Sequence, residues 1–556
     1  MYDIEKTANK MWQACIVGTA LLCFSFASAE VQAEDARVSD LNTVPTARFI
    51  KPDTMALSLE TLDPYAQVAF GYQFSDFFYL QFQQNYQISS LRDEADYVAP
   101  GLDFKLKLLN ESTFWPQVAL GMENAIGNQR LASEYLVASK RLSHFDVTGG
   151  VAWGRLGSGA HMRNPLRMLS SHFDEDRITE TYDSESNNAR HWFTGEDIGF
   201  FGGVAYHTPF LKNAVITLDY NNASYDLERQ AIQNFNAPSP WSIGVQYTPA
   251  PWVELSTALV GREKMMARAR FFENPENFVA HNTNVMRAPF WPKFSLKFEE
   301  VVSLTEEDET ILNRSSIILN ADKDFHPKFS GGLGLRYNAG YNYEHFYLTR
   351  PYAEDTIRGD EFEFANNAFN LDRAYLAYKA PLFENTELAL TGGYLEELFA
   401  GFGGEALYQS QAHPWLIGGE IWYSFKRDPF SSLATRVKSG GTTTGHLNLG
   451  YKIEDSNLLA KLSLGKYLAG NTGGTFALEN KFDNGAKLEG FVTVTNKRDR
   501  GILNEDEDYY AGLTLTFPFQ IPYTDSLSSV CCDADVQIRP IARSAGQKLN
   551  KPISLF

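Results

Sequence analysis

The sequence predicts an all-β fold: a transmembrane antiparallel β-barrel of the outer-membrane type, with about 24 strands in two tandem barrels of about twelve each. One large barrel is the alternative. Three observations carry this prediction. Long segments alternate apolar and polar residues, the connections between them alternate long and short, and the chain opens with an export signal.

Composition narrows the classes first. The 556 residues carry a net charge of -19, with 14% aromatic and 21% charged residues. Disordered chains are poor in aromatics, so disorder is excluded. Beyond residue 29 no run of about 18 apolar residues appears, which excludes a helical membrane protein. The acidic balance argues against a nucleic-acid partner, which requires a basic footprint.

Residues 1–29 read as a signal peptide. Lys6 and Lys10 precede the apolar stretch Ile16 to Phe26, and Ala27-Ser28-Ala29 offers the small residues of a cleavage site. Cys15 and Cys23 lie inside it, and Leu21-Leu22 before Cys23 makes a poor acylation site. Removal of the signal leaves Cys531 and Cys532, neighbours whose disulfide would be a strained ring. Two thiols without a role are expected there.

Residues 30–54 read as an N-terminal periplasmic segment, and 55–271 as the first barrel half. Within 101–109, Leu102, Phe104, Leu106 and Leu108 share one face against Asp103, Lys105 and Lys107. In 214–220, Ile216 and Leu218 oppose Val215, Thr217 and Asp219. Such alternation is the pattern of strands with one apolar and one polar face. The segments run about nine to twelve residues, the length that crosses a bilayer at a tilt. The connections 87–99, 155–195 and 222–239 are long, whereas 110–114, 207–211 and 248–251 are short. Outer-membrane barrels have this asymmetry, and a soluble sandwich has no reason to keep it.

Residues 272–292 read as a periplasmic linker and 293–519 as the second half. There, Trp415, Ile417, Ile421 and Tyr423 oppose Gly418, Glu420, Ser424 and Lys426, and Leu488, Val492 and Val494 oppose Lys487, Glu489 and Thr493. Residues 350–369, 427–443 and 497–507 are long connections; 381–385 and 483–485 are short. Gly512, Leu515 and Phe517 have the spacing of a barrel-closing strand. Residues 265–272 hold the same place in the first half, with Ala267 at the glycine position. Pro540 and Pro552 make 520–556 a poor strand, so this stretch is expected to be a periplasmic C-terminal tail.

No catalytic constellation emerges, so the chain is read as no enzyme, with no cofactor and no metal. Gly157-Ser158-Gly159 lacks the Gly-x-Ser-x-Gly pattern of a nucleophile elbow. His161, His172 and His191 share a long loop with Asp174, Glu175 and Asp176, but their spacing matches no ligand set. Glu396-Glu397 would be an acid pair, but adjacent residues on a strand point to opposite faces and cannot share one substrate. Gly202-Gly203, Gly331-Gly332, Gly392-Gly393 and Gly418-Gly419 suit sharp barrel curvature more than ligand contact. Trp115, Trp153, Trp241, Trp252, Trp291, Trp415 and Trp422 suit an interfacial girdle.

Several stretches resemble the YjbH/GfcD family of outer-membrane proteins. They include Pro45-Thr46-Ala47-Arg48, Glu134 to Lys140, Gly150 to Gly157, Asn164-Pro165, Gly392 to Glu396 and Phe399 to Tyr408. The resemblance is strongest at Gly445-His446-Leu447, Gly465 to Gly470 and Gly473-Gly474-Thr475, and it ends at Arg543 and Gly546 to Leu549. Two departures stand out. Where the family carries a larger insertion between its halves, only 272–292 is present, and Asn471 and Ala400 replace an acidic residue and a glycine.

The resemblance implies an outer-membrane component of an exopolysaccharide or capsule export or assembly pathway in a Gram-negative bacterium. Its expected partners are outer-membrane lipid, polysaccharide, and periplasmic or lipoprotein members of an export system. A diffusion porin, general or substrate-specific, is the alternative. A third is an outer-membrane enzyme acting on lipid or glycan, against which the missing nucleophile–base pair weighs. The expected polysaccharide contacts are Tyr394, Glu396, Gly404, Lys466, Tyr467 and Gly470. Tyr394 is suited to stack on a sugar ring, and Lys466 to pair with a uronic acid or with Glu396.

Overall fold

In the computed structural model the described residues are 40–88, 98–175, 177, 186–187, 189–209, 211, 213–221, 223–232, 235–261, 263–273, 292–303, 312–341, 357–358, 360–409, 412–453, 456–482, 485–500, 506–520, 533–540 and 546–556. The signal peptide, most of the linker, Cys531 and Cys532 lie outside them. The chain divides into two compact units, and each is one closed barrel.

The first barrel has twelve strands, from Met55–Leu62 to Lys264–Glu273, with two two-residue strands attached, Met162–Arg163 and Ser186–Asn187. Each long strand is antiparallel to the next. The last returns to the first, from Met55 opposite Glu273 to Leu62 opposite Met266. The expected closing strand at 265–272 is therefore in place.

The alternation predicted from sequence is present with its apolar side outward. In Ala214–Tyr220, Ile216 and Leu218 are 39% and 44% exposed, whereas Thr217 and Asp219 are fully buried. In Trp415–Arg427, Ile417 and Ile421 are exposed while Leu416, Trp422 and Ser424 are buried. A fold whose polar residues are inside and whose aliphatic residues are outside is inverted relative to a water-soluble protein. The inversion matches a lipid exterior, where a closed barrel satisfies every backbone group within its own wall. No helix among the described residues is long and apolar enough to cross a membrane.

In the first barrel the long connections 88–97, 155–196 and 221–240 share one end with three short turns, 63–64, 129–132 and 261–263. Only short connections occupy the other end. The expected asymmetry is thus one of maximum length and not of strict alternation.

The second barrel departs from expectation. It has thirteen strands, from Lys293–Ser303 to Asp533–Pro540. Asp506–Gln520, expected to close it, instead pairs with Asp533–Pro540. That last strand closes the ring by lying parallel to the first, from Ser295 beside Asp533 to Val302 beside Pro540. An odd number of strands requires one such parallel seam, since every other neighbour is antiparallel. Pro540 is tolerated because it is the final residue of its strand, where a missing donor costs least.

The seam also reverses where the chain leaves the barrel. A thirteenth strand parallel to the first ends where the first ends, on the side of connections 342–368 and 428–436. Residues 533–540 are therefore a wall strand and 546–556 a segment inside the barrel, not the free tail expected for 520–556. Gly546 lies beside Thr493, the Leu468 amide donates to the Gln547 carbonyl, and the Phe556 ring lies near Gly450. Those contacts run from one end of the lumen to the other.

The N-terminal segment behaves likewise. Residues 40–54, expected as a periplasmic stretch, lie in the lumen of the first barrel. Leu41, Val44, Ala47 and Phe49 pack against Tyr135, Leu156, Phe201 and Val215 in one buried cluster. Each barrel is thus occupied by one end of the chain itself.

Candidate functional site

In the second barrel, the expected contact residues are distributed between the two sides of the wall. Gly404 pairs with Leu390, and a Cβ on Gly404 would meet the Leu390 side chain on the outer face. Lys466 is exposed on the same parity as Leu464, also outward. Strand alternation explains both placements, since Glu405 and Ser463, one residue or an odd number away, face inward. Lys466 therefore does not pair with Glu396.

Glu396 and Glu397 lie in the connection between the strands Thr386–Tyr394 and Phe399–Gln409, not on a strand. Both are buried, and each has its own arginine. Arg358 Nη2 donates to both oxygens of Glu396 at 2.8 and 3.0 Å. Arg314 Nη2 and Asn370 Nδ2 donate to Glu397 at 2.7 and 2.6 Å. Burial dominates at Glu396 and holds its carboxyl above the usual range despite Arg358. At Glu397 burial acts the same way, but Arg314 and Arg336 outweigh it and hold the carboxyl below that range.

Tyr394 stands at the rim. Its hydroxyl donates to the Thr435 carbonyl at 3.0 Å, and the Arg427 guanidinium lies 5.0 Å from its ring. Tyr467 is fully buried, its hydroxyl 2.7 Å from Thr475 Oγ1 and its ring 4.8 Å from His446. Gly470 has φ +78°, a turn conformation that favours glycine, and its amide donates to the Tyr467 carbonyl. The Tyr467–Gly470 motif thus folds a hairpin end inward. Leu468 joins Phe364, Leu395, Leu398, Phe399, Trp422, Ala434 and Leu549 in a buried cluster at that end. Deeper in the lumen, Lys551 Nζ donates to Glu405 and Glu420 at 2.5 and 2.6 Å, and His446 Nδ1 lies 2.9 Å from Glu420. Here the motif residues receive the C-terminal segment.

The other singled-out residues also find places. His161 Nδ1 accepts from the Phe200 amide at 3.1 Å, and His172 Nδ1 lies 3.2 Å from Glu175. Trp115, Trp241 and Trp415 are exposed, as a girdle requires, but Trp153 and Trp422 are buried. Trp153 donates to Asn164 at 3.0 Å, and Trp422 faces the lumen.

The first barrel holds the features that sequence reading missed. Arg48 fixes the N-terminal segment with a two-pronged contact to Asp146, at 2.9 and 2.8 Å, and a bond to Glu111 at 2.5 Å. Asn42 bonds Asp219, Ser242 and Thr217, and Arg268 donates to the carbonyls of Leu41 and Asn42. Gly203 and Gly244 allow this approach: a Cβ on either would meet Leu41 at 2.6 Å or Asn42 at 2.3 Å. Between this segment and the wall lies a polar chamber of about 290 Å³. Gln67, Gln81, Gln83, Asp103 and Glu123 line it. Gln81 and Gln83 donate to Asp103 at 3.0 and 2.9 Å, and the Asn124 amide donates to it at 2.6 Å. The alternation of Gln81, Gln83, Asp103 and Lys105 was the available signal, marking an inward polar face without showing what it enclosed.

Comparisons with known proteins identify the family. The family described as "Exopolysaccharide biosynthesis protein YbjH" matches residues 40–290 and 273–556. The "Uncharacterized lipoprotein YjbH" of Escherichia coli (strain K12) is 22% identical over 660 aligned positions, covering 92% of each chain. Among solved structures, the ferric yersiniabactin uptake receptor FyuA from Yersinia pestis aligns at 8% identity over 85% of this chain and 74% of that chain, with a TM-score of 0.20. The FrpB iron transporter from Neisseria meningitidis aligns at 9% over 85% and 75%, also at 0.20. The barrel assignment rests on the strand pairing and not on these overlaps. The family match extends from the N-terminal lumen segment to the last residue of the C-terminal one, and the chain belongs to the YjbH exopolysaccharide biosynthesis family.

Proposed function

We propose that this protein is an outer-membrane β-barrel component of exopolysaccharide or capsule export or assembly, and that it is not an enzyme. The observation that carries the reading is the family match over both barrels, each with an apolar exterior suited to lipid. Export rather than another step in biosynthesis is supported by the closed-barrel architecture, since a barrel wall belongs where a polymer must pass the last membrane. The lumen segments, 40–54 and 546–556, weigh against an always-open diffusion porin. Polysaccharide and periplasmic or lipoprotein partners follow from the same reading. The E. coli relative is named a lipoprotein. In this chain the leucines before Cys23 favour cleavage after Ala29 without acylation.

A clean deletion tests the proposal. The expected result is loss of surface polysaccharide with solute uptake unchanged. Normal surface polymer with impaired uptake of small solutes would support the porin reading instead.

A further inference from the structure

The chamber of the first barrel has a defined chemistry. Its volume is about 290 Å³, against about 150 Å³ for an engineered cavity that takes up benzene, so a pyranose of about a dozen heavy atoms is of that size. Its wall offers side-chain amides that donate or accept and carboxylates that accept. Gln81, Gln83 and the Asn124 amide already organise the Asp103 carboxylate. Glu123 lines the same space, and among the described residues its carboxylate has no hydrogen-bond or ion-pair partner. A carboxylate in such a site calls for a donor.

The neighbouring cations do not supply one. Arg155 is bound to Glu228 at 2.6 Å, Arg268 to Glu60 at 2.6 Å and Arg270 to Asp40 at 2.6 Å, Arg48 is held by Asp146 and Glu111, and Lys105 donates to the Arg48 carbonyl at 2.8 Å. An anionic ligand such as a uronic acid would therefore meet two carboxylates, Asp103 and Glu123, against one ammonium, that of Lys105, which already donates to a carbonyl. An uncharged polyol matches better, because its hydroxyls donate to the carboxylates and accept from the glutamine amides.

We propose that the chamber between residues 40–49 and the wall of the first barrel binds one uncharged sugar unit of a glycan, with Glu123 accepting from its hydroxyls. The inference rests on the glycan reading of the preceding subsection and adds its site and its charge class.

The test uses the full chain in detergent micelles and ligand-observed saturation-transfer NMR. The probes are maltotriose, cellotriose and triacetylchitotriose as neutral sugars, trigalacturonate as an anion, and the glucosamine trimer as a cation. At least one neutral trisaccharide should bind the wild type. Glu123→Leu should abolish that signal, and Glu123→Gln, which keeps the shape, should weaken binding about tenfold. Heat-modifiable gel migration checks each barrel; if Glu123→Leu does not assemble, Glu123→Gln decides. The proposal is overturned if no neutral sugar binds, if only a charged trisaccharide binds, or if both variants bind as the wild type does. Sugar binding by a chain whose deletion leaves surface polymer intact would overturn the export reading alone. Absence of binding by a chain needed for the polymer would overturn the chamber alone.

Discussion

Arg48 shows how a single residue fixes an element that has no secondary structure of its own. It is 6% exposed and joins Asp146, Glu111 and Gln117, while its carbonyl accepts from Lys105 at 2.8 Å. Removing one member of a buried ion pair leaves the others uncompensated, which costs about 3–5 kcal/mol. Arg48→Met should lower the urea stability of the folded chain by that order and expose residues 40–54 to protease. Unchanged stability and protection would mean that the segment is held by its apolar residues alone. Nothing local in the sequence announces this role. Arg48 appeared there only within a family-like stretch, because its partners are 63 and 98 residues away. Tyr467 and Gly470 were singled out for a similar reason, and their place in a folded hairpin end became visible only with the C-terminal segment beside them.

Individual strands were the most legible features. The pairs Ile216/Thr217 and Leu218/Asp219 could be assigned to opposite faces from alternation alone, since side-chain direction in a strand has period two. The strand Asp533–Pro540 was not legible. Pro540 and Pro552 marked its surroundings as a poor strand, although Val536 is 1% exposed between Phe298 and Phe517. Its partner in the parallel seam is more than two hundred residues earlier, beyond any local signal. The outward apolar strips yield an element-scale prediction. Val245, 44% exposed midway along the strand Trp241–Ala250, should tolerate no charge: Val245→Arg should cost about 2–4 kcal/mol or block assembly. Met168, 88% exposed in a long connection, should accept arginine at little cost. Denaturant titration in lipid bilayers measures both, and equal tolerance at the two positions would contradict a lipid-facing wall.

The whole molecule consists of two barrels that close separately. Each has its own continuous ring of pairing and its own terminal segment within. This makes the terminal segments integral to their barrels: 40–54 belongs with the first and 546–556 with the second. The two-barrel organisation was legible in the sequence from the strand count and the irregular stretch between the halves. The odd strand number was not, because it depends on the seam.

Separate expression of 40–273 and 292–556 behind export signals tests the two-barrel architecture most directly, read by migration of boiled and unboiled samples on a denaturing gel. Each half should be heat-modifiable on its own. If neither half folds alone and co-expression restores one heat-modifiable species, the chain forms a single shared barrel and the two-barrel account is wrong.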